Sequence, residues 1–431
     1  MRFLLTTSAY NANVQHIALA LHEAGALGAY HTGCVDHYRR AWPRRVRAAV
    51  AALAPGLDRA LKRRRISAIP DTLIHAHWGW EGARTVAGKL GLSTRVEDWL
   101  WERGELSLDR KSARLLEQEP YDAVFGVEHG ALGAVSAARR LGKKSVVAFL
   151  SPHHSFSRRW VDREYERFPE LLTPAGRCLM ELARGRDARR DEEARLADLI
   201  YANSSFTARS LAKAGVPEAK IVTVALGGPQ VIADASLPSV LAEPRRVVYA
   251  GSVSVAKGTH YLLEAWQRLG VRRTGELHLY GRNLLPGRCL VGRGSGVVLH
   301  GAVSQPELFA AFQGALVLAL PTLCDGWGSV VSEAMAHGLP VITTSNAGAA
   351  ELIEEGRNGF VVPPADAGAL ADRIEWCLEH PRELVEMRRH AAVTARRWTW
   401  VEFRAALQAG LARHLDDSSL AAVGAKAGGA S

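Results

Sequence analysis

Two carboxylates stand close together in DGWGSVVSEAMAHGLPVI, residues 325–342: Asp325 on a glycine-flanked turn, and Glu333 with seven residues between them. The turn follows the apolar run ALVLALP, and Gly326 and Gly328 let a ligand approach the backbone closely. A helix is expected to start near Ser329 and to run to about His337, with Gly338 as its stop and Pro340 beyond. Its first N–H groups, at Ser329 and Val330, have no partner inside the helix, and its dipole favours an anion there. That is a seat for a phosphate. Glu333, about one turn in, can offer acceptors to ribose hydroxyls, and Asp325 can hold sugar hydroxyls. Lys257 lies in AGSVSVAKG, just beyond the strand-like VVYA. A helix start is already positive, so a lysine there fits an anionic ligand better than bare solvent. Its ammonium can neutralise a diphosphate as it departs. Taken singly, these are an ordinary loop acid, a surface helix acid and a surface lysine. Their combination with the glycines and with the downstream SNAGAAELIEEGRNGF points to chemistry.

These groups need strands to aim them. Apolar runs alternate with amphipathic stretches almost throughout, which implies β-α-β units with parallel sheets and right-handed crossovers. In the first half, strands are expected at 3–7, 72–75, 123–127 and 145–149, with helices at 14–24 and 131–141. Residues 151–196 break the rhythm, being rich in charge and helix formers, and are expected as helices near a domain junction. In the second half, strands are expected at 246–250, 276–280, 297–300, 317–320, 341–343 and 360–362, with helices at 259–269 and 305–313. The weakly periodic stretch GGPQVIADASLPSVLAEP, 227–244, is expected as the linker. The division that follows is 1–226, linker 227–244, 245–396, a helix within 397–415 that returns to the first domain, and a frayed tail 416–431.

Against that frame a resemblance becomes specific. Residues 246–400 resemble the donor-binding domain of retaining family 4 glycosyltransferases, α/β proteins of the GT-B fold with two Rossmann-like domains facing a cleft. The family's Glu-x7-Glu pattern falls on Asp325 and Glu333, and its G-R-x4-K-G element on Gly251, Ser252, Lys257 and Gly258. Its strand-end glycine falls on Gly281, its base-facing turn on His300-Gly301 and its glycine loop on Gly348. The segment 202–227 is similar to the stretch before the family's linker. The resemblance implies a nucleotide-diphosphate sugar as donor (UDP- or GDP-linked), no bound metal, and same-face attack by a hydroxyl of a glycan, a lipid-linked glycan or a small molecule. Three positions depart from the pattern. Asp325 replaces the usual Glu, Ser252 replaces the usual phosphate-binding Arg, and TTSAYNANVQHI lacks the paired glycines after strand one. Arg282, in LYGR, is the candidate to compensate for Ser252.

The family also places a functional His at the end of a strand in the first domain. His75-Ala76-His77-Trp78 matches the letters, but LSTRVEDWLWERGEL after it gives no next strand. YDAVFGVEHGALGAVSAARRLGKKSVVAFL gives strand, loop, helix and strand in order, so the catalytic-side loop is placed at Glu128-His129, either of which can face the donor. His153 and His154 follow the next strand and can edge the cleft. Zinc is not implied, because no ligand spacing on one face is visible.

Bulk composition sets the outer limits. The 431 residues suffice for two α/β domains, and no apolar run approaches the ~20 residues that span a bilayer. Cys34, Cys178, Cys289, Cys324 and Cys377 are scattered without CxxC spacing, which suits a reducing cytoplasm. Net charge is +10, and residues 39–65 hold ten Arg or Lys against one acid, Asp58. A solvated face or attraction to a phosphorylated substrate explains that run, and peripheral docking on an anionic membrane is the sharper alternative. No nucleic-acid motif accompanies it. Two other functions fit the same pattern: a sugar-nucleotide epimerase of the same architecture, and a non-catalytic sugar-nucleotide-binding protein.

Overall fold

The structure is a computed structural model that describes residues 1–33, 68–234, 243–270, 275–289 and 296–421, with Val35, Ala52, Arg64, Ile66 and Leu237. Apart from Ala52 and Arg64, the basic run 39–65 lies outside the described residues, as do Cys34, part of the expected linker and most of the tail.

Two parallel sheets organise the chain. The first contains β1 (Phe3–Thr7), β2 (Leu27–Thr32), β3 (Ile74–Ala76), β4 (Ala123–Val127), β5 (Lys144–Phe149), β6 (Leu199–Ala202) and β7 (Ile221–Thr223), in the order β3-β2-β1-β4-β5-β6-β7. The second contains β8 (Arg245–Ala250), β9 (Gly275–Tyr280), β10 (Val297–Gly301), β11 (Val317–Leu320), β12 (Val341–Thr344) and β13 (Gly359–Val362), in the order β10-β9-β8-β11-β12-β13. Each order reverses at one place, between β1 and β4 and between β8 and β11. In doubly wound sheets such a switch point opens a crevice at the carboxyl ends of the strands, where ligands bind.

Helices cover the faces. In the first half they are α1 (Ala12–Glu23), α2 (Trp78–Lys89), α3 (Thr94–Gln118), α4 (Leu132–Arg140), α5 (His154–Arg167), α6 (Pro174–Arg184), α7 (Asp187–Leu196) and α8 (Ser205–Lys213). The second half carries α9 (Thr259–Leu269), α10 (Gln305–Gln313), α11 (Ser329–Ala336), α12 (Ala367–Glu379) and α13 (Pro381–Ala395). α14 (Trp400–His414) then crosses back to the first half. There Gln408 donates to the Ala20 carbonyl at 2.8 Å, Arg404 pairs with Glu23 at 2.7 Å, and Trp400 stacks on His16. The inner strands β1, β2, β4, β5, β6, β11 and β12 are buried nearly end to end, as expected where helices cover both faces, whereas the edge strands β3, β7 and β10 are more open.

The start of the expected linker is docked rather than free. Gly228 N donates to the Trp398 carbonyl at 2.6 Å, and Ile232 N to that of Ala336 at 3.0 Å. The two crossings between halves, at 227–228 and 398–400, therefore lie side by side. A side chain at Gly227 would come within 2.7 Å of the Thr399 backbone.

Candidate functional site

The candidate donor site sits at the switch point of the second sheet. The chain leaving β8 passes Gly251 (φ 144°), whose carbonyl packs on Gly281 (φ 140°) at the end of β9 so tightly that a Cβ on Gly281 would lie 1.8 Å from it. From there the segment 252–258 lies along the chain leaving β11. Leu323 N donates to the Ala256 carbonyl at 3.0 Å, and Gly258 (φ 66°) caps α9 where a Cβ would lie 1.9 Å from the Pro321 carbonyl. This juxtaposition puts Lys257 beside Asp325. The Lys257 Nζ bonds the Asp325 Oδ2, in a pair that stays partly open to solvent.

Asp325 is held from behind. Its N–H donates to the Asn346 carbonyl and its own carbonyl accepts from Gly348 N, both at 3.0 Å. Asn346 in turn donates to the Leu323 carbonyl at 2.9 Å. The SNAGAAE segment is thus the clamp on the Asp325 turn. Gly348 belongs there because a Cβ would lie 2.0 Å from the Gly326 carbonyl.

Gly328 (φ 84°) starts α11, so Ser329 and Val330, both half-buried, supply its first turn. That turn contains no acid, and its dipole is left for an external anion. Glu333 lies four residues further, about 6 Å along the axis. Burial pushes its carboxyl up to about 7, against a bond from Gln305 that lowers it. Ser252 Oγ lies 3.3 Å from Ser254 Oγ, and Arg282, exposed at the end of β9, accepts from Val253 N through its carbonyl at 3.0 Å. His300 stacks on Tyr280 with ring centres 4.2 Å apart and planes 4° apart, and its Nε2 lies 2.9 Å from His278 Nδ1. Gly301 (φ 69°) closes the turn, its carbonyl accepting from Gly281 N at 2.7 Å.

Gly326 meets the first half of the chain. A Cβ there would lie 2.2 Å from the Leu150 carbonyl, and the Gly326 carbonyl accepts from Ser204 Oγ at 2.6 Å. On the side where a Gly326 Cβ would stand, the room is therefore taken by the backbone leaving β5.

Glu128 and His129 leave β4 at the switch point of the first sheet. Glu128 Oε1 accepts from Leu150 N (3.1 Å), Ser151 N (3.0 Å) and Ser151 Oγ (2.7 Å), while Oε2 takes Arg190. Burial opposes its charge, but Arg190, His129 and these donors outweigh burial and hold the carboxyl below its usual range. So bonded, Glu128 supports the Leu150 segment on which Gly326 rests. His129 sits at φ 81°, a conformation non-glycine residues adopt rarely and often at functional sites. Glu193 holds it there, accepting from His129 N at 2.8 Å and from Ala131 N at 3.0 Å. Burial, with Arg190, Arg189 and Arg186 nearby, lowers its imidazole to about 4 despite Glu128. Its Nδ1 is buried without a hydrogen bond, and its ring meets Trp101 edge-on at 5.9 Å.

The rival His75-Ala76-His77 lies on and just after β3, the edge strand. His31, on β2, stacks on His75 at 4.5 Å and on His77 at 5.3 Å. Beside them is a cavity of about 370 Å³ lined by Ser8, His77, Trp78, Trp80, Trp101 and Lys111, among others. Sequence reasoning did not find this cavity. Its signal was present, since four of the eleven tryptophans fall between residues 78 and 101.

Comparison with known proteins places this geometry in context. The family model for Glycosyltransferase Family 4 matches residues 98–227 and that for Glycosyl transferases group 1 matches residues 244–380. A D-inositol 3-phosphate glycosyltransferase of Arthrobacter sp. is 28% identical over 213 residues, 47% of this chain and 45% of that one. The MMP alpha-(1->4)-mannosyltransferase of Mycolicibacterium hassiacum is 31% identical over 146 residues, covering 32% of this chain and 36% of the relative. The chain thus spans about half, or less, of the length of the curated relatives it matches. Among solved structures, Anabaena Alr3699/HepE in complex with UDP and glucose superposes over 96% of this chain and 100% of its own, with TM-score 0.61 and 16% identity. The two family models lie on the two halves in turn, each half carries its own parallel sheet, and the chain belongs to the group 1, family 4 glycosyltransferases of GT-B fold.

Proposed function

We propose that this protein transfers a sugar from a nucleotide-diphosphate donor to a hydroxyl of a glycan, lipid-linked glycan or small-molecule acceptor, with retention at the anomeric carbon. The observation that carries the reading is the Lys257–Asp325 pair at the second switch point, directly ahead of the α11 N-terminus. A diphosphate placed there draws on Lys257 and the first N–H groups of α11, at Ser329 and Val330, and both strengthen as leaving-group charge develops. Asp325, released from Lys257 by that exchange, turns its acceptors to sugar hydroxyls. Glu333 takes ribose hydroxyls. His300, Gly301, Gly251 and Gly281 shape the base end, with Ser252 and Arg282 beside the phosphates. The complex of the Anabaena neighbour with UDP supports a uridine donor as the first to try, with GDP-sugars second.

His129 faces the donor from the other half as a neutral imidazole, in keeping with the downward pull on its pKa. Glu128 positions the segment beneath Gly326 and takes no direct part. The tryptophan-lined cavity beside His77 and Lys111 receives the acceptor, because flat aromatic faces suit sugar rings and Lys111 suits an anionic substituent. Membrane docking through 39–65 is a separate proposal, and failure of the protein to co-sediment with anionic vesicles would remove it.

The test is nucleotide release from a panel of UDP- and GDP-sugars, by wild type, Lys257→Ala and Glu333→Ala. Wild-type release that collapses in Lys257→Ala, with weakened donor binding in Glu333→Ala, is expected. Unchanged binding and turnover in both variants would end the assignment.

A further inference from the structure

We infer that His153, His154 and Asp191 form a divalent-metal site, for zinc before other ions, that fastens α7 to the loop leaving β5. Nothing in the proposed transfer chemistry uses these three groups. The two histidines are adjacent at the start of α5, and Asp191 comes from α7, nearly forty residues later, so no motif spacing shows them together. His153 Nε2 lies 3.0 Å and His154 Nε2 2.7 Å from the same Asp191 Oδ1. One donor atom from each residue falls within 4.8 Å of the others. Two imidazoles and a carboxylate converging on one point are the donor set of a borderline cation such as Zn²⁺, which takes three protein ligands and leaves a fourth position open.

The surroundings supply what such a site needs. Metal-bound histidines hand their other ring N–H to an acceptor that fixes the tautomer. His154 Nδ1, otherwise without a hydrogen bond, lies 3.5 Å from Asp187 Oδ1, while His153 Nδ1 lies 2.8 Å from Ser155 Oγ and accepts from Ser155 N at 3.3 Å as the cap of α5. With Nε2 on a metal, a proton on His154 Nδ1 would have Asp187 Oδ1 as its acceptor, and one on His153 Nδ1 would have Ser155 Oγ in place of the Ser155 N–H bond that this nitrogen accepts here. The nearby cations are engaged elsewhere: Arg158 with Asp187, Arg190 with Glu128, Arg195 with Glu192, and Lys220 with the Ala197 carbonyl. A cavity of about 540 Å³ lined by His153, Asp191 and Lys220, among others, gives the open position a path to solvent.

The placement also suggests what the ion does. Asp191 follows Arg190, which holds Glu128, and precedes Glu193, which holds the backbone of His129 and Ala131. A metal joining Asp191 to the residues after β5 locks both supports of the His129 loop against the segment that meets Gly326. It is a positioning site and does not touch the reacting atoms.

The experiment is zinc titration of the full chain after chelator treatment, by calorimetry and by thermal unfolding. One saturable equivalent is expected, with an unfolding temperature that rises and levels off as zinc is added. His154→Ala and Asp191→Asn should abolish it, Asp187→Asn should weaken it by about 10- to 100-fold, and His414→Ala should leave it unchanged. Circular dichroism of the metal-free variants shows whether they fold. X-ray absorption at the zinc edge of the wild type gives an independent reading, and two imidazoles with oxygen ligands are expected. Absence of saturable binding by the wild type, binding that survives in a folded His154→Ala or Asp191→Asn, or sulfur ligation each overturns the inference.

Discussion

Lys257 and Asp325 neutralise each other across a partly open contact, a resting arrangement that a pyrophosphate must compete with. Removing an electrostatic stabiliser of leaving-group charge typically costs about 10²- to 10³-fold in kcat, and Lys257→Ala is expected to fall in that range in the nucleotide-release assay. Retention of full kcat would take Lys257 out of the chemistry. Glu333 makes a different prediction, through pH. Burial raises its folded-state value to about 7 from the ordinary 4.5. As pH rises through that window the unfolded chain gives up its proton first, so the native state binds more protons and stability declines until about 7. Glu333→Gln cannot ionise and should lose that decline in urea unfolding followed from acid to neutral pH. An ionised carboxylate is also the better acceptor for ribose hydroxyls, so nucleotide affinity of the wild type should rise as pH passes about 7. A pH-independent affinity would show that Glu333 is not the ribose ligand.

The elements that aim these residues depend on glycines in positions where no side chain fits. Gly258 combines a φ of 66° with a Cβ site 1.9 Å from the Pro321 carbonyl, so Gly258→Ala must push the β8 and β11 exits apart. Overpacking of this kind costs about 1–3 kcal/mol, and here it also moves Lys257 away from Asp325. Denaturant midpoint and nucleotide release should therefore fall together; a variant as stable and active as wild type would show that the two exits are not clamped. Those exits were legible in the sequence. All six strands of the second sheet were expected within a residue or two, because each is an apolar run set off by Gly, Pro or polar residues. In the first sheet β2, β6 and β7 were missed. LGAYHT contains a glycine and a histidine, LIYA is four residues just past the charged helical stretch 151–196, and IVT is three. Short strands buried in a parallel sheet carry no alternation to mark them. The site divides in the same way. The Asp325, Lys257 and Glu333 cluster comes from contiguous motifs, whereas the bonds that occupy Glu128 come from Arg190 and Ser151, and the His153–Asp191 contact joins distant segments. Only the folded chain reveals such pairings.

At the scale of the whole molecule, the halves are joined by two adjacent chain crossings, by the Ser204–Gly326 contact at the cleft, and by a buried polar cluster away from both. Glu164 on α5, 1% exposed, accepts from His260 Nε2 at 2.9 Å and from Tyr261 OH at 2.8 Å, both on α9. Arg167 adds a bond to the same Tyr261 oxygen at 3.2 Å. Burial opposes the Glu164 charge, yet these donors and the nearby Arg167 outweigh it and keep the carboxyl below its usual range. α9 begins immediately after Lys257 and Gly258, so this contact ties the phosphate side of the second half to α5 of the first. Glu164→Ala strips two buried donors of their acceptor, at about 1–3 kcal/mol for each group left unsatisfied. The loss falls on the contact between halves and not within either core. The expected signature in calorimetry is separation of a single unfolding transition into two, as each half melts on its own core, together with a higher donor KM at little changed kcat. If the variant melts in one transition at the wild-type temperature, the contact does not couple the halves.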